Sequence, residues 1–440
     1  MFDYISMATD NMHNGRPVYI VDGSRTPFLK AGAPGPFAAA DLALQAGRPL
    51  LARQPFEAEQ LDEVILGCVG PEADEANIGR VVSLRLGCGE SVPAWTVARN
   101  CASGMQALDS AATNIAFGRS DLVLAGGTES MSHAPVLFSD NFVTWLSNWA
   151  RAKSIVQKLS VLGKLKLSSL APVIGLLKGL KDPVVGLSMG QTTEKIAWRF
   201  GINREQMDLF AIRSHDRLAA AIDSGYFNNE LVPIYDTRGN SFTEDDGLRR
   251  GSTLEKLAKL KPVFDKPTGM VTAGNSAQIT DGCAWVILAS EDALEKYQLK
   301  PRGKLLDANW AGLDPTQMGL GPVHASTPIL TRNGLGLNDV DYWEINEAFA
   351  GQVLGCLAAW ESDQYCKEEL ELDGAMGTLD QERMNLDGGG ISMGHPVGAS
   401  GARIVLHALN VLERNEWNKA MATLCIGGGQ GGAMLVERIA

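Results

Sequence analysis

One pattern occurs twice in this chain of 440 residues, and it restricts the fold more than any other feature. In the first copy Ala102-Ser103-Gly104 opens a stretch with helical apolar spacing through Met105, Leu108, Ala112 and Ile115. Leu122-Val123-Leu124-Ala125 follows as a buried-strand run and ends at Gly126-Gly127. In the second copy Ala399-Ser400-Gly401 opens a helical stretch through Arg403, Leu406, Leu409 and Leu412. There Ala422-Thr423-Leu424-Cys425 leads into Gly427-Gly428-Gly429. Apolar residues at helical spacing mark helices, and short unbroken apolar runs between glycines mark buried strands. Each unit alone is a common α/β fragment. Two in the same order point to an internal duplication and so to an α/β chain of two halves.

Further strand candidates are Val18 to Val21, Val64-Ile65-Leu66-Gly67, Tyr342 to Ile345 and Val286-Ile287-Leu288. The length suffices for two substantial cores. Between the halves the character changes. From Asn141 to Lys181 there is no acidic residue but seven basic ones, within a chain of net charge −12. Trp145, Trp149, Ala152, Val156 and Leu159 keep helical spacing, which predicts a basic amphipathic helix. Pro172 and Gly175 set off a second apolar piece, Val173 to Leu180. Arg204 to Ser224 and Ser252 to Lys259 read as helices, the latter capped by its serine. The whole middle block reads as an inserted, mostly helical loop domain.

The acidic balance argues against a nucleic-acid-binding surface over the whole protein. Seven cysteines and six histidines never form a C-x-x-C or H-x-x-x-H pattern, so no structural metal site is expected. Unpaired cysteine spacing fits free thiols in a reducing compartment. Met1 to Arg16 has neither a long apolar core nor an Arg-rich pattern, which predicts a cytoplasmic, bacterial-like location without signal or transit peptide. No window holds the ~18 apolar residues of a membrane span, leaving peripheral membrane association as the one membrane role expected.

Five constellations carry chemistry. Asn100-Cys101-Ala102-Ser103-Gly104 places a cysteine at a helix start, where the positive end of the helix favours thiolate. A buried structural cysteine is the alternative for that residue taken alone. The run Asn385 to Gly401 sets His395 among six glycines, presented as a base or incidental to a phosphate loop. Cys425-Ile426-Gly427-Gly428-Gly429 puts a second thiol beside free backbone N–H groups, which suits proton transfer next to an oxyanion site. Asn346-Glu347-Ala348-Phe349-Ala350 follows a strand, and Asn346 can hold a water or donate a hydrogen bond. Thr272-Ala273-Gly274-Asn275 brings small residues to a close-packed ligand-side backbone.

In their joint order these motifs resemble the thiolase family, as do Gly126-Gly127-Thr128-Glu129-Ser130-Met131-Ser132 and Ser24-Arg25-Thr26-Pro27-Phe28. The likeness runs from about Val18 to the end. It implies a duplicated fold whose halves form a five-layered α-β-α-β-α core. The halves would be residues 17–135 plus 263–291 and residues 298–440, with the loop domain at 136–262. It implies that Cys101 carries the acyl group and that His395 generates its thiolate. His395 and a water on Asn346 would form one oxyanion hole. Cys425 would exchange the α-proton of acetyl-CoA, and the N–H groups of Cys101 and Gly427 would form the second hole. Coenzyme A would be a substrate, with no tightly bound cofactor.

Arg249 corresponds to a family arginine near the CoA nucleotide. The family's Asn-Ala-Ser-Gly beside CoA is Asn275-Ser276-Ala277-Gln278 here, with Ser276 the contact expected. Its short-chain members carry His-Met-Gly where this chain has Ser188-Met189-Gly190, which argues against a purely acetoacetyl-CoA activity, and Ser188 and Met189 are expected on the CoA side of the site. The basic insert is similar to that of the thiolase subunit of the trifunctional fatty-acid oxidation complex. That subunit usually has histidine at the position of Asn346. These features favour a degradative 3-ketoacyl-CoA thiolase, with an acetoacetyl-CoA thiolase as the alternative. Ketosynthases lack the second thiol, and a lipid-docking scaffold would not need the two thiols and the base. A homodimer or dimer of dimers is implied. The segment Asn141 to Lys181 is expected to dock a membrane surface or a hydratase–dehydrogenase partner.

Overall fold

The computed structural model describes residues 15–32 and 34–439. The stretch read as lacking a targeting pattern lies, up to residue 14, outside them. One mixed sheet spans the molecule. Its strands are β1 (Tyr19–Arg25), β2 (Glu63–Gly67), β3 (Ala94–Val97), β4 (Leu122–Ser130), β5 (Thr280–Ala289), β6 (Gly303–Gly312), β7 (Tyr342–Ile345), β8 (Lys419–Ile426) and β9 (Gln430–Arg438). The spatial order is β7-β8-β9-β6-β1-β5-β4-β2-β3, with a short strand Leu29–Lys30 on β5.

The order contains the duplication. The run β1-β5-β4-β2-β3 repeats as β6-β9-β8-β7, and a parallel bridge from Trp343 to Met384 stands where the second copy of β3 belongs. Each half pairs its strands in the same kinds: β5 is antiparallel to β1 and β4, and β4 parallel to β2, just as β9 is antiparallel to β6 and β8, and β8 parallel to β7. Within the sheet the two half-sheets are paired at Tyr19–Lys304 and Ile20–Gly303.

Strand side chains alternate faces, so each half-sheet feeds two cores. On β4, Leu122 and Leu124 join the outer core under the helix Ala39–Ala52, while Val123 and Ala125 join the central core. On β9, Ala433 and Leu435 face a third core that includes the helices Gly321–Arg332 and Ala350–Glu361, while Met434 and Val436 face the centre. The central layer is a helix pair, α1 (Ser103–Ala116) and α2 (Val397–Asn415). The result is five layers, α-β-α-β-α. From Gly398 to Leu412 every residue of α2 is buried, as a helix between two sheets must be.

The two Ala-Ser-Gly tripeptides meet in this layer. A Cβ on Gly104 would stand 2.9 Å from the Gly398 carbonyl oxygen and the Ala402 nitrogen, and one on Gly401 would stand 2.5 Å from the Met105 nitrogen. The repeated glycines are there because the paired helices touch backbone to backbone.

Several elements depart from their sequence reading. The helix of the second copy begins at Val397, before Ala399, because Pro396 is its N-cap. Strand β4 continues through Gly126-Gly127 to Ser130, because those glycines let α2 and β5 approach it. The helix near Ser252 is only Leu254–Leu257, and Thr253 is its cap; the Ser252 hydroxyl bonds the Arg249 carbonyl instead. Arg204–Asp223 is a full helix, as read.

The basic stretch is two helices, not one. Asp140–Arg151 and Ile155–Leu162 fold back on each other, broken at Ala152-Lys153-Ser154 because Ser154 caps the second. A ladder of Phe138, Phe142, Trp145 and Trp149 rings, 5.0–5.6 Å apart, runs along the first helix, and the Trp145 indole donates to the Val161 carbonyl. The piece from Val173 is a two-residue strand followed by a short helix, Gly175–Gly179.

Candidate active site

The nucleophile candidate sits on a tight turn between β3 and α1. Asn100 has a φ of 45°, a left-handed conformation that asparagine tolerates better than most residues. Its side-chain amide donates to the Gly427 carbonyl at 2.8 Å. Gly427 begins the glycine turn between β8 and β9, and its N–H points at the Cys101 sulfur, favouring thiolate. That preference does not dominate. Burial pushes the Cys101 thiol up to about 11, and the charge of Glu129 adds to the rise. The expectation that a helix start lowers this pKa therefore fails: α1 begins two residues later, and desolvation outweighs the N–H groups.

Cys425 is the last but one residue of β8 and only 1% exposed. Its thiol is held far above the ordinary value by burial first and then by the charge of Cys101, which places the two sulfurs in one electrostatic neighbourhood. Cys356 lies next to the same group. All seven cysteines are free thiols.

His395 lies in the turn before α2. Its backbone N–H donates to the Gln278 carbonyl, and its Nδ1 lies 2.6 Å from the Ser400 Oγ in the first turn of α2. Burial, helped by Arg403, lowers its pKa to about 4, so the resting imidazole is neutral. Its Nε2 is buried with no hydrogen-bond partner among the described residues. Asn346 follows β7, placed by its own N–H on the Thr423 carbonyl of β8. It too is fully buried, and neither its amide nitrogen nor its amide oxygen has a partner among the described residues. Buried polar atoms are seldom left unpaired, and those that are often mark reacting sites. Here three such atoms belong to residues singled out by chemistry.

A second set of residues, which the motifs did not assign, holds these in place. Glu347 accepts from the Ser214 hydroxyl, the Asn385 amide and the Ile391 N–H, fixing the glycine loop that approaches Asn346. Asn385 in turn brackets Ile345 through both backbone groups. The segment after Thr272 braces the other side: Ala277 N–H bonds the Ala348 carbonyl and Ala350 N–H bonds the Asn275 carbonyl. Their signal was their place inside or beside the motifs, yet their function is scaffolding, which spacing does not reveal.

The expected CoA contacts fall into three groups. Met189 opens the helix Met189–Arg199, and its sulfur would be 3.4 Å from a Cβ on Gly427, so it overhangs the glycine turn. Ser188 caps that helix by accepting from the Gln191 N–H. Ser276 is buried and donates to the Thr272 carbonyl at 2.6 Å. Arg249 is exposed, with its backbone N–H on the His215 Nδ1.

Fold and site together define a cysteine-centred acyl-transfer enzyme on a duplicated α/β scaffold. Residues 18–292 match the thiolase N-terminal domain and residues 299–438 the thiolase C-terminal domain. The beta subunit of the mitochondrial trifunctional enzyme of Mus musculus is 36% identical over 98% of this chain and 90% of its own. The crystal structure of human mitochondrial 3-ketoacyl-CoA thiolase in complex with CoA superposes with a TM-score of 0.82, at 36% identity, covering 98% of this chain and all of that one. The acetyl-CoA acetyltransferase of Bacillus anthracis gives 0.83 at 34% identity, covering 97% and 99%. The chain belongs to the thiolase family.

Proposed function

We propose that this thiolase cleaves a 3-oxoacyl-CoA with CoA, giving acetyl-CoA and an acyl-CoA shortened by two carbons. What supports this is that the charge of Cys101 acts on Cys425 and the Gly427 N–H on Cys101, while the buried His395 Nε2 and Asn346 amide are left without partners among the described residues. An acyl carrier and an α-carbon acid are the two groups that Claisen chemistry needs.

Cys101 attacks the 3-oxo carbon as its proton passes to the His395 Nε2. Both groups are neutral at rest, so transfer accompanies attack rather than preceding it. The N–H groups of Cys101 and Gly427 stabilise the alkoxide, the C2–C3 bond breaks, His395 and a water on Asn346 stabilise the enolate oxygen of the departing acetyl-CoA, and the enolate takes its proton from Cys425. In the second half-reaction the CoA thiol gives its proton to the Cys425 thiolate and attacks the acyl group on Cys101. The N–H groups of Cys101 and Gly427 face that tetrahedral oxygen. The Cys101 sulfur leaves and recovers its proton from His395. CoA would lie along Met189, Ser188 and Ser276, with Arg249 near its nucleotide. Thiolysis of acetoacetyl-CoA and of a long-chain 3-oxoacyl-CoA, followed by loss of enolate absorbance, tests the reading. Turnover of acetoacetyl-CoA alone assigns the short-chain activity instead, and turnover of neither overturns it.

The helical hairpin supports a docking role, and we assign it to the surface of an anionic bilayer. Neither of its helices has a buried residue. Its tryptophans line the inner seam, where the Trp145 indole donates to the Val161 carbonyl. Aliphatic side chains face out instead: Ile155 and Val156 are 78% and 77% exposed, with Val143, Leu146, Leu159 and Leu162 beside them. Seven cations and no acid within residues 141–181 complement anionic headgroups, each worth ~1 kcal/mol near such a surface. Among the described residues no helix is long and apolar enough to cross a membrane. The protein should float with vesicles containing phosphatidylglycerol, and Ile155→Glu with Val156→Glu should abolish flotation while sparing thiolysis. Failure to float, or co-purification with a hydratase–dehydrogenase lost in the same variant, overturns the membrane assignment.

A further inference from the structure

Glu129 is a buried carboxylate that none of these steps uses. It lies on β4, two residues past the Gly126-Gly127 pair, and is 3% exposed. Among the described residues it has no ion-pair partner. It takes two backbone N–H groups and a thiol instead: Gly70 donates to Oε1 at 2.8 Å and Val69 to Oε2 at 3.0 Å, the Cys68 Sγ lies 3.9 Å from Oε1, and the Gly398 backbone lies against Oε2. Gly398 is the second residue of α2, and a Cβ there would stand 2.7 Å from the Glu129 Oε2 and 2.3 Å from the Thr128 carbonyl oxygen. The carboxylate therefore grips α2 at its positive end, where a negative charge is most favourable. The same first turn presents Ser400 to His395.

We propose that Glu129 is a positioning residue of the acyl-transfer site, its carboxylate fixing the turn that orients His395 and its charge opposing thiolate at Cys101. The proposal rests on the roles given above to Cys101 and His395. Four elements surround the carboxyl. Asp281 faces it from β5 and Cys68 from the loop after β2; Cys101 lies before α1, and α2 offers its N-terminus. Burial outweighs the N–H bonds and, with Asp281, raises the Glu129 pKa to about 7. The group thus changes charge across neutrality, with one consequence for each state. Ionised, it holds the α2 turn most firmly and makes the Cys101 proton hardest to remove. Protonated, it relaxes both.

The experiment follows iodoacetamide alkylation of Cys101 against pH in the intact enzyme and in Glu129→Gln and Glu129→Asp, alongside thiolysis. In the unaltered enzyme the alkylation rate should rise by clearly less than ~tenfold per pH unit between pH 6 and 8, because ionising Glu129 counteracts thiol ionisation. Glu129→Gln should move the alkylation midpoint to lower pH while kcat falls ~10- to 100-fold with KM nearly unchanged. Glu129→Asp, which keeps the charge but shortens the reach, should lower kcat without moving the midpoint. A role confined to folding would not give these opposed changes. An uninterrupted tenfold-per-unit rise in the unaltered enzyme overturns the proposal even if neither variant folds. So does a folded Glu129→Gln with unchanged midpoint and kcat. Selective labelling of a cysteine other than Cys101 would instead overturn the assignment of the nucleophile.

Discussion

The Asn100 side chain donates to the Gly427 carbonyl at 2.8 Å across 327 residues of sequence, so the turn that carries Cys101 and the turn that offers it an N–H move as one unit. One half of the duplication carries Cys101, the proposed nucleophile, and the other carries the Gly427 N–H that faces it. Asn100→Gly keeps the left-handed backbone available but removes the bond, whereas Asn100→Ala removes the bond and adds strain of ~1 kcal/mol. Both should lower kcat for thiolysis by ~10-fold or more, and only the alanine variant should also melt earlier. Equal melting of the two would show that the turn is not held in the left-handed conformation by its sequence.

Cys101 should be the thiol that reacts. It is the one partly accessible cysteine of the seven, and burial raises the Cys283 thiol further than that of Cys101. Iodoacetamide should therefore label Cys101 first in the folded enzyme. Cys101→Ser should abolish turnover, because an alcohol with the same burial stays protonated at any working pH. Equal labelling of Cys101 and Cys283 would remove the basis for the assignment.

His395 and Cys425 should fail differently. His395→Ala removes the acceptor for the Cys101 proton, so formation of the acyl-enzyme should slow by ~100-fold or more. Cys425→Ala leaves that step in place but removes the acid facing the enolate. It should still acylate from acetyl-CoA while losing deuterium exchange at the acetyl methyl group. Normal exchange in the Cys425 variant would refute the division of labour.

Much of this was legible in the sequence because it follows from period and repetition. The two Ala-Ser-Gly tripeptides announced paired helices, and the buried runs at Leu122 and Ala422 fall on β4 and β8. The candidate site was read from residues whose chemistry is specific, a cysteine, a histidine and glycines in order. What stayed hidden depends on tertiary placement. Nothing near Asn100 reports that it will bond Gly427. The pKa of Cys101 was read with the wrong sign because a helix start is visible in sequence and desolvation is not. The helical spacing of Trp145 and Trp149 gave a face but not what covers it, which is the second helix of the hairpin. The hairpin break at Ser154 was likewise masked by apolar residues that keep their spacing across it.

His407 gives the last prediction, and it concerns stability rather than turnover. It lies on α2, fully buried, with Nδ1 2.9 Å from the Glu230 Oε2 and Nε2 3.2 Å from the Asp387 Oδ2. Glu230 also binds Arg25 of β1, and Asp387 also binds Arg414. This chain of charges ties β1, the segment around Glu230, α2 and the start of the catalytic glycine loop. The two carboxylates outweigh burial and raise the His407 pKa to about 10, so the folded protein holds an imidazolium where the unfolded chain holds a proton only below ~6.5. The folded state thus binds more protons between those values. The stabilisation is whole below ~6.5 and is lost as pH rises toward about 10. His407→Gln should cost ~3 kcal/mol at pH 6, because it leaves buried carboxylates short of a cation. The difference between the variant and the unaltered protein should shrink steadily from pH 7 to 10. Denaturant unfolding at pH 6, 8 and 10 measures it. A gap that stays constant over that range would mean that His407 is neutral in the folded protein and that its bonds to Glu230 and Asp387 carry no charge of its own.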